Sequence, residues 1–434
     1  MRKDPIDKLL ILPITRFINN STTSGIVLFL SAITALILAN SPLKDAYHLF
    51  WEHEFSIGYD HHIVSKTLHH WINDGLMAVF FFVIGLELKR EVMAGELSKP
   101  KDAVLPLLAG LGGMFVPALV FIALNPTGTA NDGWGIPMAT DIAFALGIIY
   151  MLGDRVPLSL KIFLTALAIA DDLGAVMVIA LFYTSDVSTT SLVIGALFLL
   201  VLVGANLLGV RSTVFYGIVG IGGLWMAFLL SGIHATVAGV LAALTIPANV
   251  KISDKKYVTK IKDLTKKFEE AQPNNFSLVT KDQLYILERI RFYSKAAITP
   301  LQRLEHSMHP LVAFVVMPIF ALANAGITFT GDFSDNLFSN VSMGIILGLV
   351  VGKFVGIVGI SKLLVHFKLA SLPAGATWKQ MCGVALLAAV GFTMSLFITE
   401  LAYSSPELIL QAKIGVFIAS IIGGLSGYFL LKKP

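Results

Sequence analysis

Four ionisable side chains lie inside long apolar stretches of this chain, where charged groups are rare. They are Asp141, Asp171, Asp172 and Lys353. On insertion scales each such residue costs about 2.5–3.5 kcal/mol at the centre of a membrane helix, so an unpaired set would be expensive. Salt bridges alone cannot balance the set, because three acids face one base. The remaining carboxylate needs a proton or a metal cation to neutralise it.

The adjacent pair Asp171 and Asp172 has the more specific chemistry. Neighbouring residues on a helix point about 100° apart, so one carboxylate can face a lysine while the other faces a water-filled funnel. Carboxylate oxygens are hard ligands that suit hard cations. The same oxygens can hold protons or a cation but not both. That competition is sufficient, in principle, for exchange of one ion for the other.

Helix-breaking residues interrupt two of the apolar stretches close to these charges. Pro137 precedes Asp141, and residues 391–395 read GFTMS, with a glycine and two hydroxyls. Interrupted segments in matching positions of two halves are typical of a transporter site. Residues 103–183 and 341–431 are therefore predicted to be two repeats of three spans each.

The composition places these residues in a membrane. Of 434 residues, 56% are hydrophobic and only 14% are charged, whereas about a quarter of the residues in a soluble domain are charged. A helical span needs about 20 apolar residues, and the continuous apolar runs lack the alternation of a membrane barrel. The sequence predicts an all-α polytopic membrane protein with twelve transmembrane helices, at roughly 22–41, 71–93, 103–125, 134–152, 157–183, 190–209, 213–230, 232–248, 307–327, 341–365, 380–402 and 408–431.

Lysine and arginine are distributed unevenly between the connecting segments. With the N-terminus in the cytoplasm, 28 of the 32 basic residues fall in inside segments, three in outside segments and one, Lys353, inside the membrane. Cytoplasmic loops carry an excess of basic residues, so the pattern predicts that both termini are cytoplasmic. A wrong number of spans would disturb this alternation.

Two connecting segments are long enough to carry structure of their own. Residues 249–305 are charged, and apolar residues recur at helical spacing on both sides of residues 273–275, PNN, which predicts two short cytoplasmic helices around a turn. A solvated linker and a regulatory module both remain open for this segment. In the outer segment 42–70, Glu54–Tyr59 is predicted as one strand of a hairpin. Scattered surface imidazoles and a metal site both remain open for its histidines, His53, His61, His62, His69 and His70.

The buried acids leave more than one class of function open. An intramembrane aspartyl protease also uses two buried aspartates, but on two helices and usually with a Gly-x-Gly-Asp signature that this sequence lacks. A passive cation channel would need a filter loop, and none is recognisable. The ATP-binding pattern Gly-x-x-x-x-Gly-Lys-Ser/Thr is also missing. These observations favour secondary antiport of a cation against protons, with a symporter of the same fold as the alternative.

Several motifs along nearly the whole chain carry a resemblance to a known family. They are WINDGLMAVFF at 71–81, GLELKRE at 85–91, ATDIAFALG at 139–147, LKIFL at 160–164, AIADDLG at 168–174, SGIHAT at 231–236, RLEH at 303–306 with HP at 309–310, ANAG at 323–326 and GFTMS at 391–395. The sequence resembles the bacterial NhaA-type Na+/H+ antiporter family. The resemblance implies inverted repeats, with two broken helices that cross in the middle of the membrane, and a transporter rather than an enzyme.

The resemblance also implies roles for individual residues. Matched residue by residue, Asp171 and Asp172 would bind Na+ and protons, with Thr140 beside them. Asp141 would offset the positive ends of the crossed half-helices, and Lys353 would offset their negative ends. The implied pH-sensing residues are Glu87, Glu91, Arg303, Glu305, His306 and His309 at the cytoplasmic end, and His234 nearer the outside.

The implied activity is electrogenic export of Na+, and also of Li+, in exchange for protons, activated at alkaline pH, for pH and sodium homeostasis. It involves no cofactor besides the transported ions and no nucleic acid. The protein would be a homodimer among the lipids of the bacterial inner membrane. The expected division is N-terminal helices and an outer hairpin of an interface domain at 1–102, core repeat one at 103–183, interface helices at 184–248, a charged cytoplasmic insertion at 249–306, an interface helix at 307–340 and core repeat two at 341–434.

Overall fold

The structure is a computed structural model that describes residues 21–59, 62–184, 187–271, 278–328 and 333–432. Within these residues, eight helices are long and apolar enough to cross a membrane, and two bent helix pairs bring the possible number of spans to ten. The eight are Leu68–Ala94, Pro100–Leu124, Thr129–Met151, Leu158–Phe182, Thr189–Leu207, Pro300–Asn324, Asn340–His366 and Pro406–Lys432. The cytoplasmic location predicted for the two termini concerns residues 1–20 and 433–434, which lie outside the described residues.

The remaining predicted spans coincide with bent or shorter helices. Ser21–Ala39 is followed by Lys44–Glu52, and these two helices meet at 113°. Trp378–Leu387 and Phe392–Ala402 are bent by 43° about their break. Two shorter apolar helices, Thr213–Leu229 and Ala235–Thr245, occupy the seventh and eighth predicted spans. Each of the twelve predicted spans therefore coincides with a helix or a helix pair in the described part of the chain.

The eighth span is shorter than the sequence predicted. Its helix covers only Ala235–Thr245, 11 residues, where the apolar run predicted 232–248. Gly232 adopts a φ of +83°, in the left-handed region that glycine favours, so the helix cannot begin there. Pro247 lies two residues beyond Thr245, where it cannot continue the helix.

Both predicted helix breaks are present. In the first broken helix, a 3-10 helix at Thr129–Met138 is separated from the α-helix Ile142–Met151 by three non-helical residues that include Asp141. In the second broken helix, Trp378–Leu387 is separated from Phe392–Ala402 by residues 388–391. The two breaks divide their spans close to the middle, as the sequence predicted.

Small residues bring the helices around the breaks into close contact. A Cβ atom added to Gly356 would lie 2.1 Å from the carbonyl oxygen of Gly112, so Pro100–Leu124 and Asn340–His366 touch backbone to backbone at this point. Close approach through small residues is the usual way in which membrane helices pack. We call Asn340–His366 the lysine helix, since it carries Lys353, and Leu158–Phe182 the acidic helix, since it carries Asp171 and Asp172.

The hairpin and the two helices predicted for the long connecting segments are present where these segments are described, and segment 42–70 also contains the helix Lys44–Glu52, which was not predicted. Strand β1 (Glu54–Tyr59) pairs antiparallel with β2 (His62–Thr67), with Glu54 opposite Thr67. Residues 249–305 contain the helices Asp254–Glu270 and Lys281–Ala297. The turn predicted at residues 273–275 lies outside the described residues.

A labelling experiment tests the topology. In a Cys382→Ser background, single cysteines at the exposed positions Lys44 and Asp335 should react with an impermeant maleimide added outside the cell, because both follow the outer ends of spans. Lys256→Cys should react only in inverted vesicles. Labelling of all three variants from the same side would contradict the arrangement.

Candidate ion-binding site

The two broken helices meet at their interruptions. The backbone N–H of Asp141 donates to the carbonyl of Val390 at 2.7 Å, and the Thr140 hydroxyl lies 3.1 Å from the carbonyl oxygen of Ala388. An interrupted helix leaves N–H and C=O groups without helical partners, which is costly where no water is present. The crossing supplies partners for these groups from the opposite chain segment.

The Asp141 carboxylate joins the two half-helices that begin at the crossing. Its Oδ1 accepts a hydrogen bond from the Phe144 N–H at 2.9 Å, in the first turn of Ile142–Met151. Its Oδ2 accepts from both the N–H and the hydroxyl of Thr393, at 3.1 and 2.5 Å. Helix N-termini carry partial positive charge, so one carboxylate lies where it can offset two of them.

Lys353, Asp171 and Thr140 form a second cluster on the other side of the crossing. The Lys353 ammonium lies 2.9 Å from Asp171 Oδ2, and both side chains have no exposed area. The Thr140 hydroxyl lies 2.8 Å from the same carboxylate oxygen and also contacts the Lys353 ammonium. A hydroxyl has one hydrogen, so Thr140 accepts from Lys353 while it donates either to Asp171 or to the Ala388 carbonyl.

Asp172 is buried but has no hydrogen-bond partner for either carboxylate oxygen among the described residues, and Oδ1 of Asp171 has none either. The charges that act on Asp172 come from three acids, Asp171, Asp141 and Glu87, and from one base, Lys353. A buried polar atom without a partner needs an explanation, such as a bound ion. The three free oxygens, with the Thr140 hydroxyl nearby, provide hard oxygen ligands for a small cation, or acceptors for protons.

Residues expected to sense pH come together near the C-terminal end of Leu68–Ala94. Arg90 bridges two acids there: its Nε lies 2.9 Å from Glu305 Oε1, and its Nη2 lies 2.9 Å from Glu91 Oε1. Glu87 lies close enough to interact electrostatically with all three of these groups. His306 acts on Glu305, and also on His309 one helical turn further on.

Two of the expected sensing residues have other surroundings. Arg303 lies in the first turn of Pro300–Asn324, but the guanidinium that meets Glu305 is that of Arg90, a residue of the GLELKRE motif that was not in the predicted sensing set. His234 lies apart from the cluster around Arg90, and its Nε2 is 2.6 Å from the carbonyl oxygen of Tyr183. The structure therefore divides the predicted set between the two sides of the protein.

A polar cluster at the ends of four spans, on the side that the sequence predicts to be outer, was not anticipated. Lys413 lies 2.8 Å from Glu400, both nearly buried, and His69 Nε2 lies 3.9 Å from the other oxygen of Glu400. The Asn324 amide nitrogen donates to Asn73, which leaves its oxygen to accept from His69 at 2.9 Å. His69 had been named among the outer histidines, and Asn73 and Asn324 fall inside two of the quoted motifs, but nothing local in the sequence brings these positions together.

The outer histidines do not form a metal site in the described residues, where no group of three or more His, Cys, Asp or Glu could hold a metal ion. His70 pairs instead with Asp74 at 2.8 Å on its own helix, and His53 bonds to the Leu49 carbonyl at 2.6 Å. Of the five histidines, His61 lies outside the described residues.

The family model described as Na+/H+ antiporter 1 matches residues 15–431. The chain belongs to the Na+/H+ antiporter 1 family. Curated relatives named Na(+)/H(+) antiporter NhaA include one from Acidithiobacillus ferrooxidans, 50% identical over 96% of this chain and 97% of its own length. Another, from Oleidesulfovibrio alaskensis, is 47% identical over 99% of this chain and 95% of its own length.

Membership in the Na+/H+ antiporter 1 family agrees with the crossing of two broken helices and confirms the resemblance found in the motifs. The protein is a multi-pass membrane protein of all-α architecture. The relatives are named as antiporters, which are transporters. Asp171 and Asp172 lie on one helix, and Asp141 already binds two helix ends, so the two-helix dyad of an intramembrane protease is not formed by these three residues.

The buried ion pair leads to a prediction about stability. Lys353→Ala should lower the thermal unfolding midpoint in mild detergent, because breaking a buried ion pair costs about 3–5 kcal/mol. Protonation of Asp171 in the variant would recover part of that loss. Lys362→Ala, an exposed lysine on the same helix, is the matched control and should melt like the parent. Equal midpoints for all three proteins would show that the pair contributes nothing to stability.

Proposed function

We propose that this protein is a secondary active antiporter that exchanges Na+ for protons at the Asp171–Asp172 site. The observation that supports the proposal most directly is the set of three buried carboxylate oxygens without hydrogen-bond partners among the described residues. A carboxylate in that position is stabilised only when it pairs with a cation or is neutralised by a proton. Binding of Na+ therefore requires protons to leave, and binding of protons releases Na+.

The charges around the site set what each state carries. Asp141 offsets two helix N-termini, and Lys353 offsets Asp171, which leaves the charge of Asp172 for the transported ion. A monovalent cation on Asp172 makes the site electrically balanced. If Asp171 and Asp172 each take a proton in exchange for one Na+, the protonated site keeps the charge of Lys353 and one net charge crosses the membrane in every cycle. The membrane voltage then contributes about 2.3 kcal/mol per 100 mV to transport.

Alternating access follows from the geometry of broken-helix transporters, in which one bundle moves against another around a fixed site. Asp171, Asp172, Thr140 and Lys353 together would form that site, and Asp141 would keep the crossing intact. Li+, which has the same charge and is smaller, fits the same oxygen ligands and is proposed as a second substrate. A symporter of this fold would move the cation and the proton in the same direction, so sided flux measurements separate the two mechanisms.

The surroundings of the site support further parts of the proposal. The distribution of basic residues supports an orientation with both termini in the cytoplasm, and the resemblance to a bacterial antiporter family supports the inner membrane as its location. The β1–β2 hairpin has two strands only, each with one edge unpaired in the described sheet. Exposed strand edges pair readily with another chain, which supports a homodimer joined through this hairpin. The division into core repeats and interface segments remains a prediction, as does the contact with lipids.

Alkaline activation, and with it a role in pH and sodium homeostasis, is proposed from the cytoplasmic cluster. Three acids, Glu87, Glu91 and Glu305, surround the single guanidinium of Arg90. The net charge of this cluster therefore depends on how many of the three carboxyl groups carry a proton. The clustered groups lie on Leu68–Ala94 and Pro300–Asn324. Loss of protons at high pH changes the charge between these two helices, which would alter their packing at the inner entrance.

The acidic pair can be tested directly. Asp172→Asn should reduce Na+/H+ exchange in inverted vesicles to background, since an amide cannot trade a proton for a cation. The amount of protein in the membrane should stay unchanged, because the substitution preserves shape. Asp154→Asn, at an exposed aspartate in the connection before the acidic helix, is the control. Normal exchange in the Asp172→Asn variant would place the site elsewhere.

The cytoplasmic cluster can be tested by its pH profile. Glu305→Gln removes one negative charge beside Arg90 and Glu87, so the remaining groups should lose protons more readily. The pH of half-maximal exchange should therefore move toward acid by about half a unit or more. The apparent Na+ affinity at the optimal pH should change little. Glu288→Gln on the exposed helix Lys281–Ala297 should leave the profile in place, and a profile unmoved in both variants would exclude the cluster as the sensor.

A further inference from the structure

Two tyrosine hydroxyls bind the backbone of the outer half of the first broken helix. The Tyr183 hydroxyl donates to the Asp132 carbonyl at 2.7 Å and accepts from the Gly135 N–H at 3.2 Å. The Tyr403 hydroxyl donates to the Ala130 carbonyl at 2.7 Å. All three backbone groups belong to the 3-10 helix Thr129–Met138. We call this pair of tyrosines the tyrosine clamp.

Glycines make room for the clamp. A Cβ atom at Gly135 would lie 2.7 Å from the Tyr183 hydroxyl oxygen, and one at Gly133 would lie 2.0 Å from that of Tyr403. Any other residue at these two positions would collide with the hydroxyls. The close approach of ring and backbone therefore depends on both partners, the tyrosine and the glycine.

The clamp joins the outer half-helix to two other helices. The residues that follow this half-helix, Thr140 and Asp141, contact the same two helices at the ion site. Tyr183 directly follows the acidic helix, whose Asp171 accepts a hydrogen bond from Thr140. Tyr403 directly follows Phe392–Ala402, whose Thr393 donates to Asp141. Asp171 and Tyr183 are twelve residues apart, about 18 Å along a helix. The segment that carries Thr140 and Asp141 is thus fixed at two levels, at the crossing and near the outer surface.

We infer that Tyr183 and Tyr403 are positioning residues of the ion site, which hold the outer half of the first broken helix so that Thr140 reaches Asp171. The inference rests on the proposed function, because the clamp acts by placing Thr140 in the proposed ion site. A 3-10 helix has poorer hydrogen-bond geometry than an α-helix and rarely extends beyond three or four residues. The ten residues at Thr129–Met138 therefore need bonds from outside the helix, and the clamp supplies them.

The clamp keeps its hydrogen bonds over the physiological pH range. Burial raises the pKa of the Tyr183 and Tyr403 phenols above the usual value, so both hydroxyls stay protonated and able to donate. The carbonyl of Tyr183 can only accept, so the facing Nε2 of His234 must carry a hydrogen. That requirement is met by one neutral tautomer and by the charged imidazole alike. Loss of a clamp hydroxyl is therefore expected to change ion affinity and not the pH profile.

Conservative variants test the clamp in the full-length protein. Tyr403→Phe should raise the apparent KM for Na+ by about two- to tenfold, the range expected for one lost hydrogen bond. Tyr183→Phe, which loses two hydrogen bonds, should raise it at least as much. The maximal rate should fall less, and the pH profile at saturating Na+ should stay in place. Tyr216→Phe is the matched control, because that hydroxyl also donates to a backbone carbonyl, Val210, away from the site. Unchanged KM in both clamp variants overturns the inference.

Two further variants, Gly135→Ala alone and Gly135→Ala combined with Tyr183→Phe, separate the effect of the clamp from an effect on general stability. Gly135→Ala should raise the KM further, because its Cβ collides with the Tyr183 hydroxyl. Adding Tyr183→Phe should recover part of that loss, since the nearest remaining ring atom would be 3.2 Å away. No recovery in the double variant, with KM still raised and the melting midpoint lowered in parallel, would reduce the clamp to a structural role.

Hydrogen exchange separates a failed clamp from a failed function. In the two Phe variants, amides of residues 129–141 should exchange faster than in the parent, while those of the Tyr216→Phe control should not. This readout requires no transport. A parent protein without Na+/H+ exchange would refute the proposed function alone, and unchanged amide exchange in both Phe variants would refute the clamp alone.

Discussion

An interrupted helix in a bilayer must find partners for the backbone groups that its break exposes, and the rest of this structure depends on how that requirement is met. Here two interruptions meet, so each break supplies part of what the other lacks. Asp141 donates its N–H to Val390 and accepts from Phe144 and Thr393. The Ser395 hydroxyl satisfies the Ile136 carbonyl at 2.8 Å. These bonds place Thr140 beside the acidic helix.

The same crossing explains why the buried charges are tolerated. Asp141 and Lys353 are each paired with groups of opposite sign, whereas Asp172 is left without a hydrogen-bond partner in the described structure. Natural proteins depart from full satisfaction of buried polar groups mainly at functional sites. The stability that the paired groups provide at the crossing offsets the cost of one carboxylate that is kept free for an ion.

The sequence was sufficient to locate the charges, the breaks and the spans, because each produces a local signal. Charged residues in apolar runs, Pro137 and the GFTMS segment could all be recognised without a structure. The pairings could not, because they join distant positions. Thr393 meets Asp141 across 252 residues. Glu305 contacts Arg90 and not Arg303. Which of the two arginines it contacts depends on how the helices pack, and the local sequence does not reveal this. The length of Ala235–Thr245 was missed because its apolar run continues past the points where Gly232 and Pro247 end the helix.

That short helix has an electrical consequence. It has 11 residues, about 16 Å of length, where an apolar membrane layer is about 30 Å thick. It is largely enclosed by protein, with the polar ring of His234 at one end and the Lys89 ammonium bound to the Leu244 and Ile246 carbonyls at the other. Polar groups thus meet both ends of a helix that is about half as long as such a layer is thick. The Lys89 ammonium also offsets the partial negative charge at the C-terminal end of the helix, so the helix can end inside the protein without leaving its last carbonyls unpaired.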